Sequence, residues 1–137
     1  HGSLFFRLFK MTNSNAPTAV NVHKKSATLE LVYQNGDSYQ LSAEYLRVFS
    51  PSAEVQGHGP GQKVLQHGKK EVQFLDIQPQ GHYAIKITFS DGHDSGIFSW
   101  EYLFQLGEDH QENWPQYLAK LGAAGKSRSP QFIALGS

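Results

Sequence analysis

Residues 26–34 alternate strictly, with Leu29, Leu31 and Tyr33 on one side and Thr28, Glu30 and Val32 on the other. That period of two is the mark of a half-buried strand. Asn35-Gly36-Asp37 follows, and Asn-Gly between alternating segments predicts a tight hairpin, so residues 38–41 return as a second strand. Residues 17–22 alternate more loosely and predict a first strand, with His23-Lys24-Lys25 as a basic turn. Further on, Val72, Phe74, Asp76 and Gln78 alternate with Gln73, Leu75 and Ile77, and Pro79-Gln80-Gly81 turns the chain. Residues 82–90 then place Tyr83, Ile85, Ile87 and Phe89 on one face. Residues 64–70 predict a short strand or turn with a basic tip at Lys69-Lys70.

The helical signals are shorter. Ser42 is a candidate N-cap for residues 43–48, and Pro51 stops that helix because the residue before a proline is pushed toward extended geometry. A second helix runs from about Ser99 to Leu106, with Phe98, Tyr102 and Gln105 on one face and Ile97, Trp100, Leu103 and Phe104 on another. A third spans residues 112–121, where Trp114, Leu118 and Leu121 fall on one stripe. The pattern predicts class α+β: a mainly antiparallel sheet of about five or six strands with short helices packed on one side. Each hairpin leads to an aromatic-rich short helix, the pattern of a faint duplication or of chance similarity between two amphipathic segments.

With 137 residues the chain suits one domain, which can bury a core without disulfides. It has no cysteine, which excludes thiolate zinc sites and cysteine nucleophiles and fits a reducing, cytoplasmic setting. The formal net charge of +0 provides no field toward nucleic acid or acidic membranes, and no apolar run is long enough to span a bilayer. His1-Gly2-Ser3 reads as an expression remnant. The expected organisation is an expression-derived or disordered segment over 1–16, one domain over 17–121, and a flexible tail over 122–137.

Two glycine-bearing segments carry the candidate chemistry. Gln56-Gly57-His58-Gly59-Pro60-Gly61 reads as a shaped loop holding one imidazole. Asp91-Gly92-His93-Asp94-Ser95-Gly96 offers oxygen and nitrogen ligands of the kind that hold zinc or iron. Its other reading is a turn in which Asp91 and Ser95 satisfy backbone donors. If the loop folds back on that turn, His58 and His93 meet, and Glu54, Asp91 or Asp94 completes a metal site. His110-Gln111-Glu112 has the spacing of an iron oxygenase motif, but no later histidine completes it. There is no nucleophile elbow, P-loop or dinucleotide fingerprint. Trp100, Tyr102, Phe104, Trp114 and Tyr117 suit a core. Trp100 and Tyr102, with Gly57, Gly59, Pro60 and Gly61, are also candidates for an interaction surface.

Residues 17–107 resemble the gamma-butyrobetaine hydroxylase-like N-terminal domain. The resemblance rests on Leu29-Glu30-Leu31, Glu44-Tyr45-Leu46-Arg47-Val48, Ser50-Pro51-Ser52-Ala53-Glu54 and Gly57-His58-Gly59-Pro60-Gly61. It continues through residues 72–81, Tyr83-Ala84-Ile85, Asp91-Gly92-His93 and Gly96-Ile97-Phe98-Ser99-Trp100. It implies a small domain found alone in bacteria, fused to iron–sulfur-carrier ATPases, or preceding the oxygenase domain of carnitine-pathway hydroxylases. In those hydroxylases the domain looks like a zinc-binding appendage with three cysteines and a histidine that corresponds to His93. Ser50, Ser52 and Val55 stand where the thiolates would be. Hydroxyls and a valine do not replace thiolates on zinc, so the resemblance does not bring that site with it, nor hydroxylase activity. The expectation is a non-catalytic accessory domain serving metal or iron–sulfur handling through a protein partner, such as that ATPase. The alternative is an iron- or zinc-binding protein using His58 and His93, with hydrolytic or redox activity.

Overall fold

The computed structural model describes residues 16–57, 59 and 61–130. Strands β1 (Ala19–His23), β2 (Thr28–Val32) and β3 (Ser38–Ser42) form one antiparallel meander; β4 (Phe74–Gln80), β5 (Ala84–Phe89) and β6 (Gly96–Ser99) form another. The helices are α1 (Ala43–Val48), α2 (Ala53–Gln56), α3 (Trp100–Glu108) and α4 (His110–Ala123). The class is α+β as expected, but the strands make two three-stranded sheets instead of one. The physical reason is local. The last residue of each meander, Ser42 or Ser99, is also the N-cap of the helix that follows, so the chain leaves the sheet at once.

The two halves repeat one plan at their second hairpin turn and at the helix cap that follows it. At the hairpin turns, Tyr33 N–H donates to Asp37 O and Phe89 N–H to His93 O, both at 2.9 Å. Gly36 and Gly92 take positive φ at equivalent places, 93° and 91°. Asn35 Oδ1 accepts from Asp37 N–H, and Asp91 Oδ1 accepts from His93 N–H. Ser42 Oγ accepts from Tyr45 N–H, and Ser99 Oγ from Tyr102 N–H. The two capped tyrosines then cross: Tyr45 donates its hydroxyl to Leu106 O at 2.6 Å, and Tyr102 donates to Phe49 O at 2.5 Å. The faint repeat in the sequence is therefore a repeat in the fold.

The core lies where the meanders' apolar faces meet the helices. Leu29 pairs with Leu41 and Ile85 with Phe98, and all four are buried with Leu31, Ile87 and Phe89. Tyr33, Tyr39 and Phe104 pack edge to face around one another. Gly107 lets α3 approach that cluster, since a Cβ there would lie 2.5 Å from the Tyr39 ring. Several expectations are corrected. Tyr83 belongs to the turn before β5 and is 68% exposed. Pro79 and Gln80 belong to β4, so the chain turns only over residues 81–83, and a bulge between Phe74 and Asp76 leaves Leu75 exposed while Phe74 stays inside. On α4 it is Tyr117, not Leu118, that continues the buried stripe to Leu121. Residues 64–70 form no strand.

The expected flexible tail is tied down as far as residue 130. Gly68 N–H donates to Ser127 O at 2.9 Å and Lys70 N–H to Arg128 O at 3.0 Å. Arg128 reaches the buried Glu44 carboxylate through Nε at 2.9 Å and a second nitrogen at 2.7 Å, and lies over the Trp114 ring. Residues 131–137 and 1–15, with the expected expression remnant, lie outside the described residues. Among the described residues no helix is long and apolar enough to cross a membrane.

Candidate functional site

The β5–β6 turn meets the loop between α1 and α2, and there the histidine of the second half meets serines of the first. Ser52 caps α2 by accepting from Glu54 N–H at 3.2 Å, which places the Glu54 side chain one residue into the helix. His93 Nδ1 is 3.0 Å from Glu54 Oε1, and His93 Nε2 is 2.9 Å from Ser50 Oγ. A carboxylate only accepts, so the ring proton sits on Nδ1 and bare Nε2 accepts from the Ser50 hydroxyl. Ser50 Oγ in turn accepts from Ser52 N–H at 3.2 Å, and Ser52 Oγ is 2.6 Å from Ser95 Oγ. Gly96 permits this approach: a Cβ there would lie 2.5 Å from Ser50 Oγ. Gly96→Ala is therefore expected to destabilise by about 2 kcal/mol. Ser50→Ala should partly relieve it, as a double-mutant cycle in urea would show.

Asp91 anchors the turn electrostatically. Its Oδ2 lies 2.8 Å from Arg47 Nε and 2.6 Å from Lys69 Nζ. Burial alone would raise its carboxyl, but the Lys69 hydrogen bond, the His93 N–H and the Arg47 guanidinium bring it down to about 2. Burial also lowers the His93 pKa, with Arg47 adding to it, against the opposing pull of Glu54 and Asp91. The imidazole is held neutral.

These shifts set a pH dependence. With His93 lowered from 6.5, the unfolded chain takes up a proton first, so stability falls as pH drops below about 6.5. Asp91 contributes fully above its ordinary 3.8, and that contribution disappears as pH falls through about 2. The site is partly open to solvent, and screening reduces the contribution to about 1 kcal/mol. Urea unfolding at stepped pH should show both declines, and His93→Ala should remove the first alone.

Of the candidate metal ligands, Glu54, Asp91 and His93 are brought together, but each is committed to a hydrogen bond or ion pair. Asp94 is exposed beside them. His58 and Pro60 lie outside the described residues. Among the described residues, no three histidine or carboxylate side chains are placed to share a metal. The donor set does not fit zinc either: both serine hydroxyls are neutral and hydrogen-bonded, and both His93 nitrogens are occupied. Described parts of the glycine loop close on themselves. Gln62 N–H donates to Gly59 O at 3.1 Å, and a Cβ on Gly57 would lie 2.2 Å from Gln62 O. Gly61 takes a φ of 76°. Trp100 and Tyr102 are half-buried against the core, the indole donating to His82 O at 3.0 Å.

Ser50, His93 and Glu54 have the order of a serine–histidine–acid row, yet Ser50 is 0% exposed. A nucleophile sealed from solvent and already accepting from Ser52 N–H has no face left for a substrate. An open concavity lies elsewhere, between α1, α2, residues 63–66 and α4. Val64 N–H donates to Val55 O and the Tyr117 hydroxyl to Gln66 O, both at 2.8 Å, which holds its walls. Val48, Phe49, Val55, Val64, Leu65 and Tyr117 form its apolar lining, and Lys63 and Lys120 stand in it. Sequence reasoning missed this groove, because residues 63–66 carry neither periodicity nor motif.

A family model described as gamma-butyrobetaine hydroxylase-like, N-terminal, matches residues 20–104. A solved solution structure is 51% identical over 88% of this chain and 95% of its own, with a TM-score of 0.74. Another is 45% identical over 88% of this chain and 90% of its own, with a TM-score of 0.70. A crystal structure from Acidithiobacillus ferrooxidans, described as a DUF971-family protein of unknown function, is 34% identical over 69% of this chain and 94% of its own. Its TM-score is 0.58. No curated protein matches the chain.

Proposed function

The chain belongs to the gamma-butyrobetaine hydroxylase-like N-terminal family, and from that premise we propose that it is a non-catalytic binding domain that works through a protein partner. The observation that carries the reading is a separation. Among the described residues, the row with catalytic order has its serine and histidine sealed, while the open groove is mainly apolar and holds no serine, histidine or carboxylate. An apolar groove without reactive groups suits recognition, which needs buried anchors more than chemistry. A partner in metal or iron–sulfur handling is the class that the resemblance brings in. A photoreactive amino acid placed at Leu65 tests this against the same residue placed at exposed Lys25, in cells of the native host. A discrete protein adduct from Leu65 alone is the expected result. Equal labelling from both positions, or none from either, overturns it.

The metal-binding alternative has less behind it, because the His93 cluster is already satisfied by hydrogen bonds. A chelator is accordingly expected to leave Tm unchanged in a calorimetric scan. A lowered Tm, restored by zinc or iron(II), would put a metal back into the account.

A further inference from the structure

We infer that the groove between α1, α2, residues 63–66 and α4 takes a short acidic segment of a partner protein, anchored by an apolar side chain. The inference rests on the binding reading above and adds the chemistry of what is bound. The chain as a whole is balanced, with 12 basic and 12 acidic residues. The groove is not: its lining includes Lys63 and Lys120 and no aspartate or glutamate. Both lysines are exposed, and among the described residues neither ammonium has a carboxylate within ion-pair distance. Two unpaired cations beside an apolar surface form a one-signed field that favours negative partners and repels positive ones.

The lining chooses among anions. Val48, Val55 and Tyr117 are buried with 7%, 4% and 4% exposure, and with half-buried Phe49 and Leu65 they form an apolar floor. A free phosphate has nothing to bury there. A nucleic acid strand draws on more cations and on open aromatic faces for stacking, whereas of the two aromatics here Tyr117 is buried and Phe49 is half-buried against it. A leucine- or phenylalanine-sized anchor flanked by aspartate or glutamate satisfies both features together.

The test uses the full chain and a displayed library of random peptides. Peptides selected on the wild-type protein are expected to combine an apolar anchor with neighbouring acidic residues and to weaken as salt rises. Lys63→Glu with Lys120→Glu is expected to reduce their affinity by at least about tenfold and to turn selection toward basic peptides. Both lysines are exposed, so the variant should melt with the wild type. Leu65→Glu should abolish binding of either set. Groove-dependent peptides that are neutral or basic, and indifferent to the lysine reversal, would overturn the acidic segment while leaving the binding reading intact. If no peptide depends on Leu65, both readings fail. Binding that appears only after residues 131–137 are removed would make the chain's own end the occupant and overturn the inference as well.

Discussion

Arg128→Ala is expected to destabilise the domain by about 3 kcal/mol, although it changes a residue outside every helix and strand. Glu44 is the reason. It sits in the first turn of α1 at 5% exposure, and its carboxylate receives two nitrogens of Arg128 at 2.9 and 2.7 Å. Removing one partner of a buried pair leaves the other charge without compensation, which costs about 3–5 kcal/mol when water cannot enter. Arg128 itself is 39% exposed on its side chain, so water can partly replace it, and the lower end applies. Loss of its contact with the Trp114 ring, at 5.3 Å, adds to the effect. Calorimetry should record a fall in Tm of roughly 10 °C. Arg128→Lys keeps the charge and loses the fork, so it should recover only part of the deficit. Glu44→Gln combined with Arg128→Ala should be more stable than Arg128→Ala alone. A Tm unchanged in Arg128→Ala would mean that residues 126–130 do not hold the domain together.

This pair also marks what can be read along a chain. Leu29, Leu31 and Tyr33 announce their strand because burial on one face repeats every second residue, and Ser42 and Ser99 announce helices because capping is local. Asn35-Gly36 and Asp91-Gly92 each fix a turn within a few residues. Strand partners beyond a hairpin are another matter. Nothing in the alternation says whether β3 continues into β4, so one sheet and two sheets look the same from the sequence. Glu44 and Arg128 lie 84 positions apart, and Ser50 and His93 lie 43 apart. No period links such pairs. His93 and Glu54 were legible as polar residues near glycine-rich segments, whereas Ser50 stood out only by its place in the family resemblance. Lys63 and Leu65 belong to an extended stretch whose role depends wholly on where α4 packs.

His93→Ala is expected to cost about 3 kcal/mol, for reasons that separate a structural histidine from a spare ligand. The ring is buried, lies 6.0 Å from the Phe89 ring, and spends one nitrogen on Ser50 and the other on Glu54. Alanine opens a cavity at this junction of the two halves and leaves the buried Ser50 hydroxyl without its acceptor. Glu54 loses little, because its side chain is 69% exposed and water can take over its oxygens. Ser50→Ala removes only the other end of the bond and should cost about 1–2 kcal/mol. The double variant should be barely less stable than His93→Ala, a coupling of about 1 kcal/mol that independent sites would not show. Replacing Glu54 with Gln should cost less than either, since an amide oxygen still accepts from Nδ1. A ligand waiting for metal would behave otherwise: in metal-free protein its removal would be nearly neutral, and coupling to Ser50 would vanish. Urea unfolding of the four proteins decides between these accounts.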